Sequence, residues 1–288
     1  MLLELHGIKK YFSSGRNIFG KSQGDVRAVD GVDLSVLKGE NLSIVGESGC
    51  GKTTLGRLIL KLLPLDSGKI IFEGKNITHF SAHSLRPLRK NFQMIFQDPH
   101  NSLDPRFTIQ GIIEEALVFE KNLKRSEKEE KVKNLLSSVR LPADILKRYP
   151  HEFSGGERQR IAIARALAVS PKLLILDEAV SLLDILVQGQ IVQLLLELQQ
   201  KFDTTYIFIS HNLRIVKKIS TKVAVMYRGK IVEMAKTDEL FLNPLHAYTK
   251  ELLSAALYYK ALKETRPAQW GPNFKFVDKG NGHFVLEE

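Results

Sequence analysis

A glycine-rich stretch with one lysine has the residue types and spacing needed to bind phosphate. Residues 46–53 read GESGCGKT and fit the pattern G-x-x-x-x-G-K-[ST] completely. Glycines let consecutive backbone N–H groups turn inward around phosphate oxygens, and the N-terminus of a following helix adds partial positive charge. A chance glycine-rich turn is the alternative. The stretch lies between a strand-like and a helix-like apolar run, which favours the phosphate loop.

Phosphate-loop chemistry gives the residues of this stretch predicted roles. Lys52 reaches the β and γ phosphates, and the hydroxyl of Thr53 coordinates Mg²⁺. Cys50 occupies a tolerant loop position and is not expected to be a redox centre. The residues predicted to contact the nucleotide here are Gly46, Glu47, Ser48, Gly49, Cys50, Gly51, Lys52, Thr53 and Thr54.

A pair of acids follows an apolar run at residues 173–178, LLILDE. A phosphate loop needs a metal-supporting acid at the end of a neighbouring strand, and Asp177 is predicted to hold Mg²⁺ through water. Glu178 is predicted to act as general base, or as the group that orients the attacking water. An acid pair after a strand can also be only the start of a helix, but the upstream loop favours the catalytic interpretation.

A second helix N-terminus suited to anions begins in FSGGERQRIAIARAL, which starts at Phe153. Ser154 can cap the helix, and Gly155 and Gly156 leave backbone N–H groups uncovered. One nucleotide per chain does not need two such cradles. The economical explanation is a head-to-tail pair of chains, in which this cradle closes on the γ-phosphate of the other subunit. A plain helix cap is the alternative.

Strands and helices must position these residues. Buried strands that alternate with helices indicate a parallel sheet covered on both faces. Residues 98–165 are helix-rich and charged, which indicates a helical insertion, and 13–25 form a polar, glycine-rich loop. Strands are predicted at 2–12, 26–36, 42–45, 68–77, 173–178 and 204–211, with a hairpin over 222–235. Helices are predicted from the glycine-rich stretch to about residue 63, over 186–202, and in two pieces over 238–257.

Composition narrows the class of protein. The chain has 288 residues, 43% of them hydrophobic, with a net charge of +10. Such a positive charge favours binding of nucleic acid, of nucleotides or of an anionic membrane. Alternatively, the basic side chains are scattered over a solvated surface and bind no partner. The single cysteine excludes an internal disulfide and a zinc cluster, so a reducing, cytoplasmic setting is expected. The start lacks a signal-peptide core and no apolar run is long enough to span a membrane.

The chain resembles the nucleotide-binding ATPase of an ABC transporter from about residue 3 to residue 257. The phosphate loop, the FSGGE signature and LLILDE occur in that family's order, and MIFQDPHNSLDPR and NPLHAYTKELLSA resemble its peptide-importer branch. The resemblance is strongest to the second ATPase of oligopeptide, dipeptide or nickel importers. It implies an α/β fold, a P-loop NTPase ABC-type ATPase with a RecA-like core, an antiparallel β subdomain and a helical subdomain.

The resemblance also implies domain limits and further site residues. The ATPase domain is expected over 1–262, with its helical subdomain at about 98–165, and residues 263–288 form a C-terminal tail. Gln97 would touch Mg²⁺ and face the permease, His211 would contact the γ-phosphate, and Asp184 would bridge two subunits. The adenine would stack on an aromatic side chain near the first strand, which is Phe12 or its neighbour Tyr11.

Four residues depart from the family's usual pattern. Leu182 stands where a small alanine is usual and could crowd the subunit contact, and Asn212 stands where aspartate is common. Ala179 and Ala247 each replace a proline. None removes a phosphate, metal or water-activating group, so an active site is expected. The cysteine cluster of some relatives is absent, so no iron–sulfur site is expected, and Trp270 and His283 are expected to pack the tail onto the main domain.

The resemblance implies a cytoplasmic ATPase that powers import of short peptides. Its cofactors would be ATP and Mg²⁺. Its partners would be a second ABC ATPase, two membrane-spanning permease subunits and, indirectly, an extracytoplasmic substrate-binding protein, with no nucleic acid. It would lie at the cytoplasmic face of the membrane. The alternatives are nickel or another small solute as cargo, a soluble ABC ATPase acting on DNA or ribosomes, and a non-hydrolysing regulatory subunit.

Replacing the predicted general base tests the hydrolytic role. Glu178→Gln should slow ATP hydrolysis about a hundredfold or more while ATP still binds, because the amide cannot accept a proton. The variant should accumulate as an ATP-bound dimer, measured by ATPase assay and size-exclusion chromatography. Equal hydrolysis by wild type and variant would contradict this role of Glu178.

Overall fold

A computed structural model describes residues 1–16, 22–97, 103–119, 123–257 and 275–287. The chain divides into two compact units: the first comprises 1–80 together with 208–288, and the second comprises 81–207.

The strands are β1 Leu3–Arg16, β2 Ser22–Val36, β3 Asn41–Val45, β4 Ser67–Phe72, β5 Lys75–Asn76, β6 Phe92–Ile95, β7 Leu173–Asp177, β8 Thr205–Ile209, β9 Lys222–Tyr227, β10 Lys230–Lys236, β11 Lys275–Asp278 and β12 Phe284–Glu287. The α-helices are α1 Lys52–Ile59, α2 Ala82–Leu85, α3 Ile109–Ala116, α4 Arg125–Ser138, α5 Gly155–Leu167, α6 Ile185–Phe202, α7 Leu213–Ile219, α8 Thr237–Leu242 and α9 Ala247–Leu257.

The first unit contains an antiparallel sheet with the strand order β2-β1-β4-β5. β1 and β2 pair from Leu3↔Val36 to Arg16↔Ser22, with several register shifts. The predicted loop over 13–25 was therefore too long, because both strands extend into it and satisfy their backbone groups by pairing. Residues 17–21 lie outside the described part of the chain.

The first unit also holds strands in the order β11-β12-β10-β9-β3-β8, where β8 spans the boundary between the units. β3 and β9 pair in parallel from Leu42↔Lys222 to Val45↔Val225. All five residues of β3 are buried, as expected for a parallel strand covered on both faces. The predicted hairpin is confirmed as β9 and β10. The predicted helix to about residue 63 was too long, because α1 ends at Ile59 and Lys61 turns left-handed with φ 54°.

Residues 275–287 form a hairpin, whereas the sequence predicts only a C-terminal tail over 263–288. β11 pairs with β12, and β12 pairs with β10 through Glu233↔Val285 and Met234↔Phe284. The carboxylate of Glu233 is fully buried and lies 2.7 Å from Nε2 of His283. The packing role expected of His283 is confirmed, whereas Trp270 lies outside the described residues.

The second unit, 81–207, is mainly helical and contains the region 98–165 in which the sequence predicts a helical insertion. β6 and β7 pair in parallel from Phe92↔Leu173 to Ile95↔Leu176, and the start of β8 follows β7 in the strand order. Helices α3 to α6 surround a core of aliphatic side chains that includes Ile113, Leu136, Ile163 and Leu195. Within the described ranges, none of the helices combines the length and the apolar content needed to cross a membrane.

The buried pair on the C-terminal hairpin should contribute measurably to stability. His283→Ala removes a hydrogen-bond partner from a buried carboxylate, so the free energy of unfolding should fall by about 2–4 kcal/mol. Lys279→Ala is the matched control, because its ion pair with Glu287 is 2.7 Å long but exposed. That change should cost below about 1 kcal/mol. Chemical denaturation checks both, and equal losses would contradict the account.

Candidate functional site

The predicted phosphate loop lies between the end of β3 and the start of α1. Gly51 is the residue before α1 and has φ 110°, a left-handed conformation that glycine adopts readily. A Cβ at Gly46 would lie 2.1 Å from the carbonyl oxygen of Met226, and one at Gly51 would lie 2.0 Å from that of Ala28. The chain therefore needs glycine at both positions, because the loop passes directly against neighbouring backbone.

The side chain of Lys52 is folded into the bend of this loop. Its ammonium donates to the carbonyl oxygens of Gly46 at 2.8 Å and Glu47 at 2.7 Å. Lys52 is only 5% exposed, and among the described residues it pairs with no carboxylate. Buried charges in proteins are nearly always paired, so this cation fits an anion supplied from outside the chain. Ser48 and Gly49 are exposed and leave the loop open to solvent.

Cys50 lies beside this lysine, with its sulfur 3.7 Å from Nζ of Lys52. Burial raises the pKa of the Cys50 thiol above its ordinary value, although Lys52 opposes that shift. The residue is therefore a neutral thiol at neutral pH and a poor nucleophile. Cys50 is also buried, although a tolerant loop position was expected there.

Two contacts that the sequence did not predict hold the loop from outside. The N–H of Gly229 donates to the carbonyl of Cys50 at 3.0 Å. The N–H of Glu47 donates to the hydroxyl of Tyr248, also at 3.0 Å. Tyr248 lies 201 positions further along the chain than Glu47. The positive φ of Gly229, 84°, and its closeness to Arg27 O explain why the hairpin turns with glycine there.

His211 follows β8 at the same strand edge as the phosphate loop. The N–H of Ser210 donates to the carbonyl of Ile44 at 3.2 Å, so the end of β8 lies beside the end of β3. His211 is exposed there. Asn212 directly precedes α7 as its N-cap, and its side chain accepts hydrogen bonds from the N–H groups of Arg214 and Ile215. The substitution of asparagine for aspartate thus preserves the helix cap.

The two aromatic candidates for adenine stacking have different surroundings. The Tyr11 hydroxyl donates to Asp30 at 2.6 Å, and this hydrogen bond is the main reason why the pKa of Tyr11 is raised. Phe12 is exposed, with Nζ of Lys10 lying 5.6 Å from its ring centroid. Phe12 is the more exposed of the two rings.

In the second unit, the register of β6 and β7 brings two predicted catalytic side chains together. Ile95 lies opposite Leu176, so Gln97 and Glu178, each two residues further on, leave the same sheet edge. Nε2 of Gln97 donates to the Glu178 carboxylate at 3.0 Å. Glu178 has φ 48°, a left-handed conformation that costs a non-glycine residue about 1 kcal/mol. Asp177, the last residue of β7, is buried.

Two further predicted site residues, Ser154 and Asp184, lie directly before helices as N-cap residues. Ser154 precedes α5 and forms a reciprocal capping box with Glu157, as predicted for the helix cap. A Cβ at Gly156 would lie 2.7 Å from Val187, so this glycine also allows α5 to pack against α6. Asp184 precedes α6 and accepts a hydrogen bond from the N–H of Val187 at 2.9 Å. Both Ser154 and Asp184 are exposed.

A sequence profile of the family described as "ABC transporter" matches residues 29–181. The chain is 51% identical to the oligopeptide transport ATP-binding protein AppF of Bacillus subtilis, over 88% of this chain and 78% of that protein. It is 48% identical to the oligopeptide transport ATP-binding protein OppF of the same species, over 99% of this chain and 95% of that one. The chain belongs to the ABC transporter family.

The fold agrees with this membership. The structure of cbiO1 from Clostridium perfringens, described as part of an ABC transporter complex, matches with a TM-score of 0.72 and 27% identity. That match covers 89% of this chain and 95% of the other. The ABC-type P-loop fold implied by the motifs is confirmed, and the chain is an ATP-binding, ATP-hydrolysing subunit of an ABC transporter.

The closeness of the Ala28 carbonyl to Gly51 allows a direct test of whether the phosphate loop binds ATP. Gly51→Ala should abolish ATP binding measured by calorimetry, because the added carbon meets backbone at 2.0 Å. Gly189→Ala, in α6 with open space around its Cβ, is the control and should bind as wild type does. Unchanged binding by the Gly51 variant would show that the loop does not hold the nucleotide.

Proposed function

We propose that this ABC ATPase binds ATP with Mg²⁺ in its phosphate loop and uses hydrolysis to drive peptide import through a separate permease. The observation that supports this most strongly is the buried ammonium of Lys52, which lies in a glycine-lined bend and has no carboxylate partner among the described residues. A phosphate group supplies the missing negative charge and the acceptor oxygens.

The proposed metal ligands have the chemistry that Mg²⁺ prefers. Thr53 offers a hydroxyl at the start of α1, Gln97 an amide oxygen after β6, and Asp177 a carboxylate at the end of β7. Mg²⁺ takes oxygen ligands and keeps part of its water shell. When bound, it neutralises charge on the phosphate oxygens.

Glu178 is proposed as the general base. Its carboxylate accepts the hydrogen bond from Gln97, which fixes the direction of the oxygen lone pairs. A carboxylate held in this way can accept a proton from water at its second oxygen. The strained backbone at Glu178 supports this role, because left-handed non-glycine residues concentrate at functional sites.

Two residues of the first unit are proposed to complete nucleotide recognition. Phe12 presents an exposed ring on which adenine can stack. His211 lies at the end of the strand beside β3, where the imidazole can donate to a γ-phosphate oxygen.

A second ABC ATPase is the proposed partner of an apolar patch in the second unit. Leu182, Ile185 and Leu186 are 64%, 85% and 80% exposed and flank Asp184. Exposed aliphatic clusters of this kind mark interaction sites. The exposed N-terminus of α5 supports the same pairing, because it offers N–H groups that the chain's own nucleotide does not need. Leu182, which stands where a small alanine is usual, adds to the apolar surface of this patch.

Peptide is the proposed cargo because both similar proteins named above are oligopeptide transport proteins. The permease is proposed to contact the region after β6, where Phe96 and Phe107 are exposed on either side of residues 98–102, which lie outside the described part. The chain is accordingly proposed to lie at the cytoplasmic face of a membrane. Nickel or another small solute is the alternative cargo.

The proposed function predicts specific partners and cargo. Purification of the chain from gently solubilised membranes should recover two permease subunits and a second ATPase, identified by mass spectrometry. Cells that lack the chain should lose uptake of a labelled tripeptide but retain uptake of nickel, and wild-type protein should restore the peptide uptake. Ribosomal or DNA-repair partners without a permease would overturn the transport role, and loss of nickel uptake alone would overturn the cargo.

A further inference from the structure

One peptide group of the phosphate loop is held from both of its sides. The carbonyl of Gly46 accepts the hydrogen bond from the ammonium of Lys52 at 2.8 Å. The N–H of Glu47, which belongs to the same planar peptide group, donates to the hydroxyl of Tyr248 at 3.0 Å. Because the carbonyl and the N–H of a trans peptide point in opposite directions in one plane, the bond to Tyr248 fixes where the carbonyl points.

We propose that Tyr248 is a positioning residue for phosphate binding, acting on Lys52 through the Gly46–Glu47 peptide. Its hydroxyl holds this peptide so that the carbonyl of Gly46 faces into the loop, and the carbonyl in turn holds the ammonium there. Without the hydroxyl the peptide can rotate, and both the lysine and the neighbouring backbone lose their preset orientation. This proposal rests on the assignment of residues 46–53 as the nucleotide site.

The Gly46 side of this peptide cannot be held by a side chain of its own. Gly46 has φ 149°, and any Cβ there would meet the Met226 carbonyl at 2.1 Å. A glycine peptide has more rotational freedom than any other, so an external contact is needed to select one orientation. Of the contacts of this peptide described here, Tyr248 is the one that comes from outside the loop.

Tyr248 is well placed to act as a fixed support. Its ring packs against that of Tyr227 with a centroid distance of 4.2 Å, and the residue is buried. Its backbone N–H donates to Nδ1 of His246 at 3.1 Å. Burial raises the pKa of Tyr248, so the hydroxyl stays neutral and its oxygen accepts the N–H of Glu47 without a buried charge.

The turn before α9 is itself fixed by the buried Glu233 of β10. The two oxygens of this carboxylate accept hydrogen bonds from the N–H groups of Leu245 at 2.8 Å and His246 at 2.9 Å. The imidazole of His283, on β12, lies 2.7 Å from the first of these oxygens. The C-terminal hairpin thus helps to set the position of Tyr248, and through it the position of the lysine.

A matched pair of tyrosine variants tests the proposal on the intact chain. Tyr248→Phe removes only the hydroxyl and keeps the ring on Tyr227. Tyr206→Phe is the control, since that buried hydroxyl donates to the carbonyl of Leu195 at 3.1 Å, so each change deletes one buried hydrogen bond. Binding of Mg·ADP should weaken about three- to tenfold in the first variant and stay within about twofold of wild type in the second.

Hydrogen–deuterium exchange without nucleotide gives a readout that does not depend on turnover. Peptides that cover residues 43–52 should exchange faster in Tyr248→Phe than in Tyr206→Phe, since the Glu47 amide has lost its acceptor. If both variants bind ADP equally, or if exchange of the loop is the same in both, Tyr248 does not position it. If wild type itself fails to bind ADP, the nucleotide site is wrong, which separates the two failures.

Discussion

The constraint on which the rest of the site depends is the burial of one ammonium group that has no carboxylate partner within the described ranges. Lys52 is held among backbone carbonyls in a bend that only glycine can form at Gly46 and Gly51. Taking a charge out of water is costly unless it is paired. The loop offsets part of this cost with oriented carbonyl dipoles, and the cation retains its attraction for an anion that enters from solvent.

The surrounding fold keeps that loop in place through contacts from distant parts of the sequence. The backbone of Met226 in β9 packs against Gly46. In the turn after β9, the N–H of Gly229 donates to the carbonyl of Cys50. Tyr248, held by the turn that Glu233 caps, binds the other side of the loop. Contacts from the first unit thus hold the phosphate loop, while Ser48 and Gly49 remain exposed.

Structural features that depend on residues close together in the sequence could be predicted from the sequence alone. The phosphate loop, the helix cap at Ser154 and the hairpin at Arg228-Gly229 follow from short patterns whose geometry needs no distant partner. The pairing of Gln97 with Glu178 was not predicted, because the sequence analysis placed no strand at 92–95 and assigned the two side chains separate roles. The roles of the site residues in binding and catalysis remain predictions.

Features that depend on contacts between residues far apart in the sequence could not be predicted from the sequence. The contact between Glu47 and Tyr248 joins residues 201 positions apart, and no local pattern signals it. The sequence predicts a tail where β11 and β12 form a hairpin, although KFVD and FVLE flank turn residues between Asp278 and His283. Short strands of this kind are stable only when they pair with an existing edge, here that of β10.

The most direct test of the central claim is calorimetric titration of the intact chain with Mg·ATP, comparing wild type with Lys52→Met. Methionine keeps much of the side-chain volume and removes the charge, and thermal unfolding verifies that the variant is folded. The account predicts one ATP bound per wild-type chain and an affinity about tenfold to a hundredfold lower in the variant. Equal affinities in two folded proteins would contradict it, because the buried ammonium would then not be the group that holds phosphate.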